Sequence, residues 1–134
     1  MPPSAELSEG RGAAVAAEAL YLVNLLIAPG LGFAVLLWLW WRGRGTTRPP
    51  LAAAHLAQTL SGSIWAGVLL VIVNGLILVL GGYQGPHVWV VAIIYFTLFH
   101  SMLVMFGAFG LSKAMSGQCW RYPLVGRPLP DGCN

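Results

Sequence analysis

Three long apolar runs separated by short polar stretches dominate this chain. They cover about residues 19–41, 59–82 and 88–112, and each is long enough to cross a hydrocarbon layer of about 30 Å as a helix. No Asp, Glu, Lys or Arg occurs between Arg48 and Lys113, and a water-exposed surface is rich in such residues. The pattern therefore predicts an all-α integral membrane protein with three transmembrane helices.

The polar stretches divide the chain into three parts. Residues 1–18 are expected to form a polar arm, residues 19–116 the transmembrane domain, and residues 117–134 a tail. Pro29 and Gly30 lie in the middle of the first run and predict a kink there, because proline removes a backbone hydrogen bond. The turn between the second and third runs is so short that these two helices should form an antiparallel hairpin.

The distribution of basic residues predicts the orientation. They occur in the loop after the first run and after the third run: Arg42, Arg44, Arg48, Lys113, Arg121 and Arg127. With three crossings both regions fall on one side, which the positive-inside rule makes cytoplasmic, with the N-terminus outside. The expected location is the bacterial inner membrane, with several crossings.

Composition supports the membrane class and limits the functions. Hydrophobic residues make up 57% of the chain and charged residues 8%, whereas about a quarter of an average globular chain is charged. The net charge of +3 is spread over loops, so a nucleic-acid partner is not expected. Cys119 and Cys133 lie in the tail, and thiols on a cytoplasmic tail stay reduced, so a disulfide is not expected.

A few polar side chains interrupt the apolar runs. Counting from the helix ends places Asn24, Asn74, Thr97 and His100 at similar depths, so the sequence predicts a buried polar cluster of these four residues. One interpretation is that they bond to one another and set the helix register. The other is a proton or ligand site at His100, because ionisable residues inside membranes are usually functional.

Metal, haem and catalytic sites have little support. His55, Cys119 and Cys133 lack the paired spacing of a structural zinc site. His100 could ligate haem only singly or between copies, since His55 and His87 lie at the membrane edges. The apolar runs contain no carboxylate and no nucleophile or phosphate motif, so neither a cofactor nor enzymatic activity is expected.

Two motifs together resemble a known family. The first is a His-x-x-Gln pattern at His55 and Gln58, and the second is Gly-x-x-x-x-Tyr-Pro-Leu from Gly117 to Leu124, which includes Arg121, Tyr122 and Pro123. The pair resembles the Tic-twenty-like family of small bacterial membrane proteins, whose function is not settled. Members of that family are often described with four membrane helices, whereas the pattern here predicts three.

The hairpin topology brings the two motifs to the same membrane face. The run from Trp120 to Leu124 should therefore fold back and pack on the start of the second helix. The tail aromatics could instead serve only as interfacial anchors.

Three functions fit these features. The preferred hypothesis is a non-enzymatic structural or accessory subunit of an inner-membrane assembly. Its small-residue faces, at Gly107, Gly110 and Ala114 and at Ser63 and Gly67, would contact other membrane subunits or a second copy. The alternatives are an oligomeric transporter or translocon-like channel component and a haem or redox accessory protein that uses His100.

Overall fold

The structure is a computed structural model that describes residues 9–133. These residues form four helices: α1 (Arg11–Leu26), α2 (Leu31–Arg42), α3 (Pro50–Val79) and α4 (Val88–Met115). A π-helical turn, Tyr95–His100, interrupts α4, and no strand occurs in the described range. The predicted all-α class is confirmed. The part of the predicted arm before residue 9 lies outside the described residues.

Two of the four helices, α3 and α4, are long and apolar enough to cross a membrane. Only 22% and 11% of the residues in their most apolar windows are buried. A core helix of a soluble protein would bury most of those residues, so these surfaces suit lipid or another membrane chain.

The first apolar run does not form one kinked helix. Its two halves, α1 and α2, fold back on each other, so the prediction of a single kinked helix over residues 19–41 is wrong. At the turn Gly30 adopts a φ of +86°, which favours glycine. A Cβ atom at Gly32 would lie 2.7 Å from the carbonyl oxygen of Leu20. The proline and the two glycines therefore allow the chain to reverse direction tightly, instead of continuing as a kinked helix.

Helix α3 begins earlier than the apolar pattern indicates. Pro50 occupies its first turn. Backbone N–H groups in the first turn of a helix have no intrahelical acceptor, so proline loses no hydrogen bond there, and its fixed φ suits a helix. The predicted start at residue 59 was therefore too late. Residues 51–58, expected to form a loop, are helical and mostly buried.

Small residues let α1 and α4 pack closely. Buried positions on α1 recur at helical spacing from Ala14 to Asn24, and they face Gly107, Gly110 and Ala114 of α4. A Cβ at Gly107 would lie 2.7 Å from the ring of Tyr21. This small-residue ridge, which the sequence assigned to an external contact, is used within the chain.

The described chain has two unlike regions. The packed end comprises α1, α2, residues 50–66 of α3, residues 101–115 of α4 and the tail. The two-helix arm comprises residues 67–100, which are the distal halves of α3 and α4 with their connecting turn. Within the arm only Ile77 and Tyr95 are buried. The antiparallel α3–α4 pair agrees with the predicted hairpin.

Both ends of the described chain lie at the packed end. A Cβ at Gly10 would lie 2.9 Å from Pro49, and a Cβ at Gly132 would lie 2.8 Å from Pro50. The α1–α2 reversal explains this arrangement, because it returns the chain to its starting level before α3. The start of α1 and the tail therefore lie at the same end of the molecule, whereas the predicted orientation places the N-terminus and the tail on opposite sides of the membrane.

Candidate functional site

The tail turns sharply after α4 and runs back along the first turns of α3. Gly117, with a φ of +71°, follows the last helical turn. The N–H of Gln118 donates to the carbonyl of Lys113 at 2.8 Å, and that of Gly117 to Ala114 at 3.1 Å. This is the Schellman pairing that ends helices at a glycine, and it directs the tail towards His55.

A carboxyl–imidazole pair joins α1 to α3. Nδ1 of His55 lies 2.6 Å from Oε1 of Glu18, and both side chains are fully buried. Nε2 of His55 lies 2.8 Å from the carbonyl oxygen of Gln118. A carbonyl can only accept, so Nε2 carries a hydrogen and the pair shares one further proton between Nδ1 and the carboxyl group.

Gln58 holds the tail through three hydrogen bonds. Its Oε1 accepts from the backbone N–H of Tyr122 at 3.2 Å and from that of Arg127 at 3.0 Å. Its Nε2 donates to the carbonyl of Arg127 at 2.8 Å. One fully buried amide thus satisfies backbone groups on both sides of the Pro123 turn, as buried backbone groups require.

Tyr122 completes the cluster from the tail side. Its hydroxyl donates to Oε2 of Glu18, and its ring packs edge-on against Tyr21, with centroids 5.3 Å apart. Burial, with the nearby Glu18 carboxyl group, raises the pKa of the Tyr122 hydroxyl. The hydroxyl therefore remains a donor to the carboxylate throughout the physiological range. We call Glu18, His55, Gln58 and Tyr122 the tail-docking cluster.

The tail-docking cluster is closed to solvent. Its four side chains are at most 1% exposed, and Gly110 approaches so closely that a Cβ there would lie 2.5 Å from Oε2 of Glu18. A carboxyl, an imidazole and a phenol could in principle move protons. No substrate can reach them here, so the geometry suits cohesion of three helices and the tail.

The predicted cluster of Asn24, Asn74, Thr97 and His100 is not brought together. Asn24 caps the start of α2, since its Oδ1 accepts from the backbone N–H groups of Gly30 at 2.8 Å and Phe33 at 3.1 Å. Such a capping bond satisfies N–H groups that lack intrahelical partners. The depth count failed for Asn24 because it assumed a single first helix.

The other three residues lie in the two-helix arm. Asn74 donates to the carbonyl of Leu70 at 2.7 Å and accepts from Tyr83, and Thr97 is exposed. His100 packs edge-on against Phe96, with centroids 5.3 Å apart, and closes the π-helical turn. Asn74 is thus satisfied within α3 and its adjoining turn, and the three residues do not form one polar cluster with Asn24.

The tail motif contributes mainly through its backbone. The predicted packing of the Trp120–Leu124 run on the start of α3 is present in the structure. The N–H of Tyr122 donates to Oε1 of Gln58, and His55 binds the carbonyl of Gln118 just before the run. Tyr122 is buried, whereas Arg121 and Pro123 are exposed.

Glu18 was missed by the sequence reasoning, which placed it in the polar arm. The sequence did contain an indication of its role. Glu18 is the one carboxylate in an alanine-rich run, and its spacing from Ala14 and Tyr21 places all three on one face of a helix.

The two cysteines are joined, contrary to the expectation of free thiols. Cys119 and Cys133 form a disulfide that closes the end of the tail over the start of α3. The expectation used cytoplasmic redox conditions and ignored the fold, which brings their Cα atoms to 5.8 Å. Both nitrogens of His55 are already bonded, so the weak zinc hypothesis for these three residues fails. The described residues contain no group of three or more His, Cys, Asp or Glu able to hold a metal ion.

Together these features define a small, helical, membrane-associated protein whose tail is sealed onto its helices by a buried polar cluster. Residues 9–129 match the family model MamF_MmsF, the magnetosome magnetite crystal formation protein family. The match covers most of the chain, and the chain belongs to this family. No curated protein and no solved structure matches it.

The resemblance to the Tic-twenty-like family is therefore wrong. The two motifs that suggested it, His-x-x-Gln and Tyr-Pro-Leu, meet in the tail-docking cluster. The residues of these motifs are needed to pack a tail on a helix. A motif with such a structural role does not identify a family.

Proposed function

We propose that the chain is a non-enzymatic accessory subunit of the membrane assembly in which magnetite crystals form. The observation that carries this proposal is the family match over residues 9–129, on a chain whose long apolar helices are mostly unburied. The closure of the tail-docking cluster supports a structural role for its acid and imidazole groups.

The two-helix arm is the surface that we expect to meet a partner. Its outward side chains are large and apolar, and Val71, Val79 and Trp89 are each more than 70% exposed. Gly67 and Gly75 have nothing within 4 Å of where a Cβ would lie. Small residues with open space above them allow close approach of another membrane helix, from a different subunit or from a second copy.

We further propose that the packed end faces the cytoplasm, with the α1–α2 hairpin entering the membrane from that side and returning. Sixteen residues in α1 give about 24 Å, which is short for a full crossing. The Trp-rich end of α2 suits the interface, and Arg42 lies over the ring of Trp38 at 5.0 Å. The positive-inside rule supports the cytoplasmic assignment, whereas the disulfide argues for an oxidising compartment. Labelling a Cys introduced at Gln84 with an impermeant thiol reagent, in intact cells and in inverted vesicles, decides between them.

The accessory role is tested in a magnetite-forming bacterium that carries this gene. Deletion should change the size distribution of the crystals in electron micrographs, and the wild-type gene should restore it. The double variant Gly67→Leu/Gly75→Leu keeps the arm apolar but blocks close helix approach, so it should fail to restore crystal size. Val71→Leu is the matched control and should restore it.

Two results would count against the proposal. Unchanged crystals after deletion would remove the accessory role. Full rescue by the double glycine variant, with a native-gel band unchanged from wild type, would remove the arm as the contact surface. The haem hypothesis for His100 stays a separate prediction, which an absorption spectrum of the purified protein tests.

A further inference from the structure

A groove runs along α3 on the face away from the tail-docking cluster. It lies between α2, the first turns of α3 and the end of the tail, and has a volume of about 490 Å³, within the range of about 300–1,000 Å³ that is common for ligand sites. Ala53 and Ala57, one turn apart, leave the space open, while Leu37 and Ile64 form apolar walls.

Two arginines line the groove. Arg48 donates from Nη2 to the carbonyls of Leu39 at 2.6 Å and Trp40 at 3.2 Å. These bonds fix its guanidinium group, and the N–H donors on Nη1 and Nε take no part in them. Arg127 is held at its backbone by Gln58, and its side chain is exposed. No residue lining the groove carries a carboxylate, and Asp131 beside it is exposed.

The charged and apolar parts of the groove are arranged along the helix axis. Arg48 lies near the start of α3, beside Ala53, and the walls continue to Ile64, eleven residues further along, or about 16 Å. Ile64 is 48% exposed and the next residue, Trp65, is 47% exposed. The groove therefore has its two arginines beside the first turns of α3 and opens at Ile64 towards the apolar surface of the two-helix arm.

We propose that this groove binds an anionic phospholipid, with the phosphate group at Arg48 and Arg127 and one acyl chain along the walls. Guanidinium groups make strong, charge-assisted bonds to phosphate oxygens, and basic pockets between membrane helices suit anionic headgroups. A soluble anion would use the arginines but leave the apolar walls uncovered. The long apolar walls are what select a lipid.

The test uses the purified full-length protein, stripped of lipid in a mild detergent and then titrated with phosphatidylglycerol or phosphatidylcholine. Native mass spectrometry counts the bound lipids. Phosphatidylglycerol should be retained at least tenfold more tightly than phosphatidylcholine, and an excess of inorganic phosphate should not displace it.

Matched variants separate the groove from general surface charge. Arg48→Gln/Arg127→Gln should lower the affinity for phosphatidylglycerol about tenfold or more. Arg44→Gln/Arg121→Gln removes the same charge from exposed positions that do not line the groove, and should have much less effect. Equal losses in the two double variants would overturn the proposal, as would displacement of the lipid by inorganic phosphate.

A second variant keeps both charges and fills the space. Ala57→Phe should block the acyl chain and lower retention of phosphatidylglycerol, whereas Val71→Phe, on the same helix in the arm, should not. Thermal unfolding of each variant shows that it is folded. Wild-type retention by a folded Ala57→Phe variant would contradict the groove as the site. These outcomes do not depend on whether the chain affects magnetite.

Discussion

The packed end and the two-helix arm share the helices α3 and α4 but are stabilised in different ways. The packed end buries polar side chains that bond across helices, such as Glu18 with His55. In the arm, Asn74 bonds only within α3 and its adjoining turn. The same two helices, α3 and α4, pass through both regions, but every polar side chain of α3 except Asn74 lies in its packed half, residues 50–66.

The second difference between the two regions is the presence of additional chain at the packed end. At the packed end, α1, α2 and the tail surround the first half of α3, and glycines such as Gly107 and Gly110 let them approach. At the arm only two helices are present, and lipid or a partner must cover the rest. One end of this molecule thus encloses a buried polar cluster, while the other leaves nearly all of its side chains exposed or half-buried.

The largest effect is expected from breaking the tail-docking cluster. Glu18→Ala removes the buried partner of Nδ1 of His55 and of the Tyr122 hydroxyl, and such a loss costs about 3–5 kcal/mol. Thermal unfolding in detergent should show a large drop in the midpoint, and trypsin should cut after Arg121 more quickly. Glu18→Gln keeps the size and one acceptor and should be milder. Equal stability of Glu18→Ala and wild type would contradict a cohesive role for the cluster.

Loss of the disulfide should loosen the tail. Cys119 and Cys133 are 14 residues apart, and closing such a loop contributes about 3 kcal/mol. Cys119→Ser/Cys133→Ser should lower the unfolding midpoint and speed hydrogen exchange in the tail, with exchange in the arm unchanged. Reductant should reproduce this in wild type and have no effect on the variant. Faster exchange in the arm would show that the two regions are not independent.

A single added methyl group should change the free energy of unfolding in opposite directions in the two regions. Gly110→Ala pushes a carbon into the Glu18 carboxyl group, and overpacking costs about 1–3 kcal/mol. Gly75→Ala in the arm meets nothing within 4 Å and should stabilise the helix by about 0.5–1 kcal/mol, because alanine loses less backbone entropy than glycine. Paired unfolding curves measure both. A similar loss in the two variants would mean that the arm is packed as closely as the other end.

The smallest effect is expected for a polar residue of the arm. Asn74→Ala removes a bond within α3 and one to Tyr83, and polar bonds between membrane helices average only about 0.6 kcal/mol. The unfolding midpoint should shift little. A loss as large as that of Glu18→Ala would indicate that Asn74 belongs to a buried network formed with a partner.

The apolar pattern determined much of the architecture by itself. An uncharged stretch from residue 49 to residue 112 allows only helices, because backbone groups in lipid must be satisfied within the segment. That is why the helical class and the α3–α4 hairpin were predictable. The pairing of His55 and Gln58 with the tail was predictable too, since an antiparallel hairpin brings those helix ends together.

Only the tertiary structure decided the rest. Pro29 and Gly30 are compatible with a kink or a reversal, and the choice depends on whether Gly32 can pack against Leu20 and on the cap from Asn24. Glu18 looked like an arm residue because its partners, His55 and Tyr122, are 37 and 104 residues away. Hydrophobic periodicity reports which face of a helix avoids water. It carries no information about which distant polar group will satisfy a buried one, and that pairing determines where this chain is closed and where it is open.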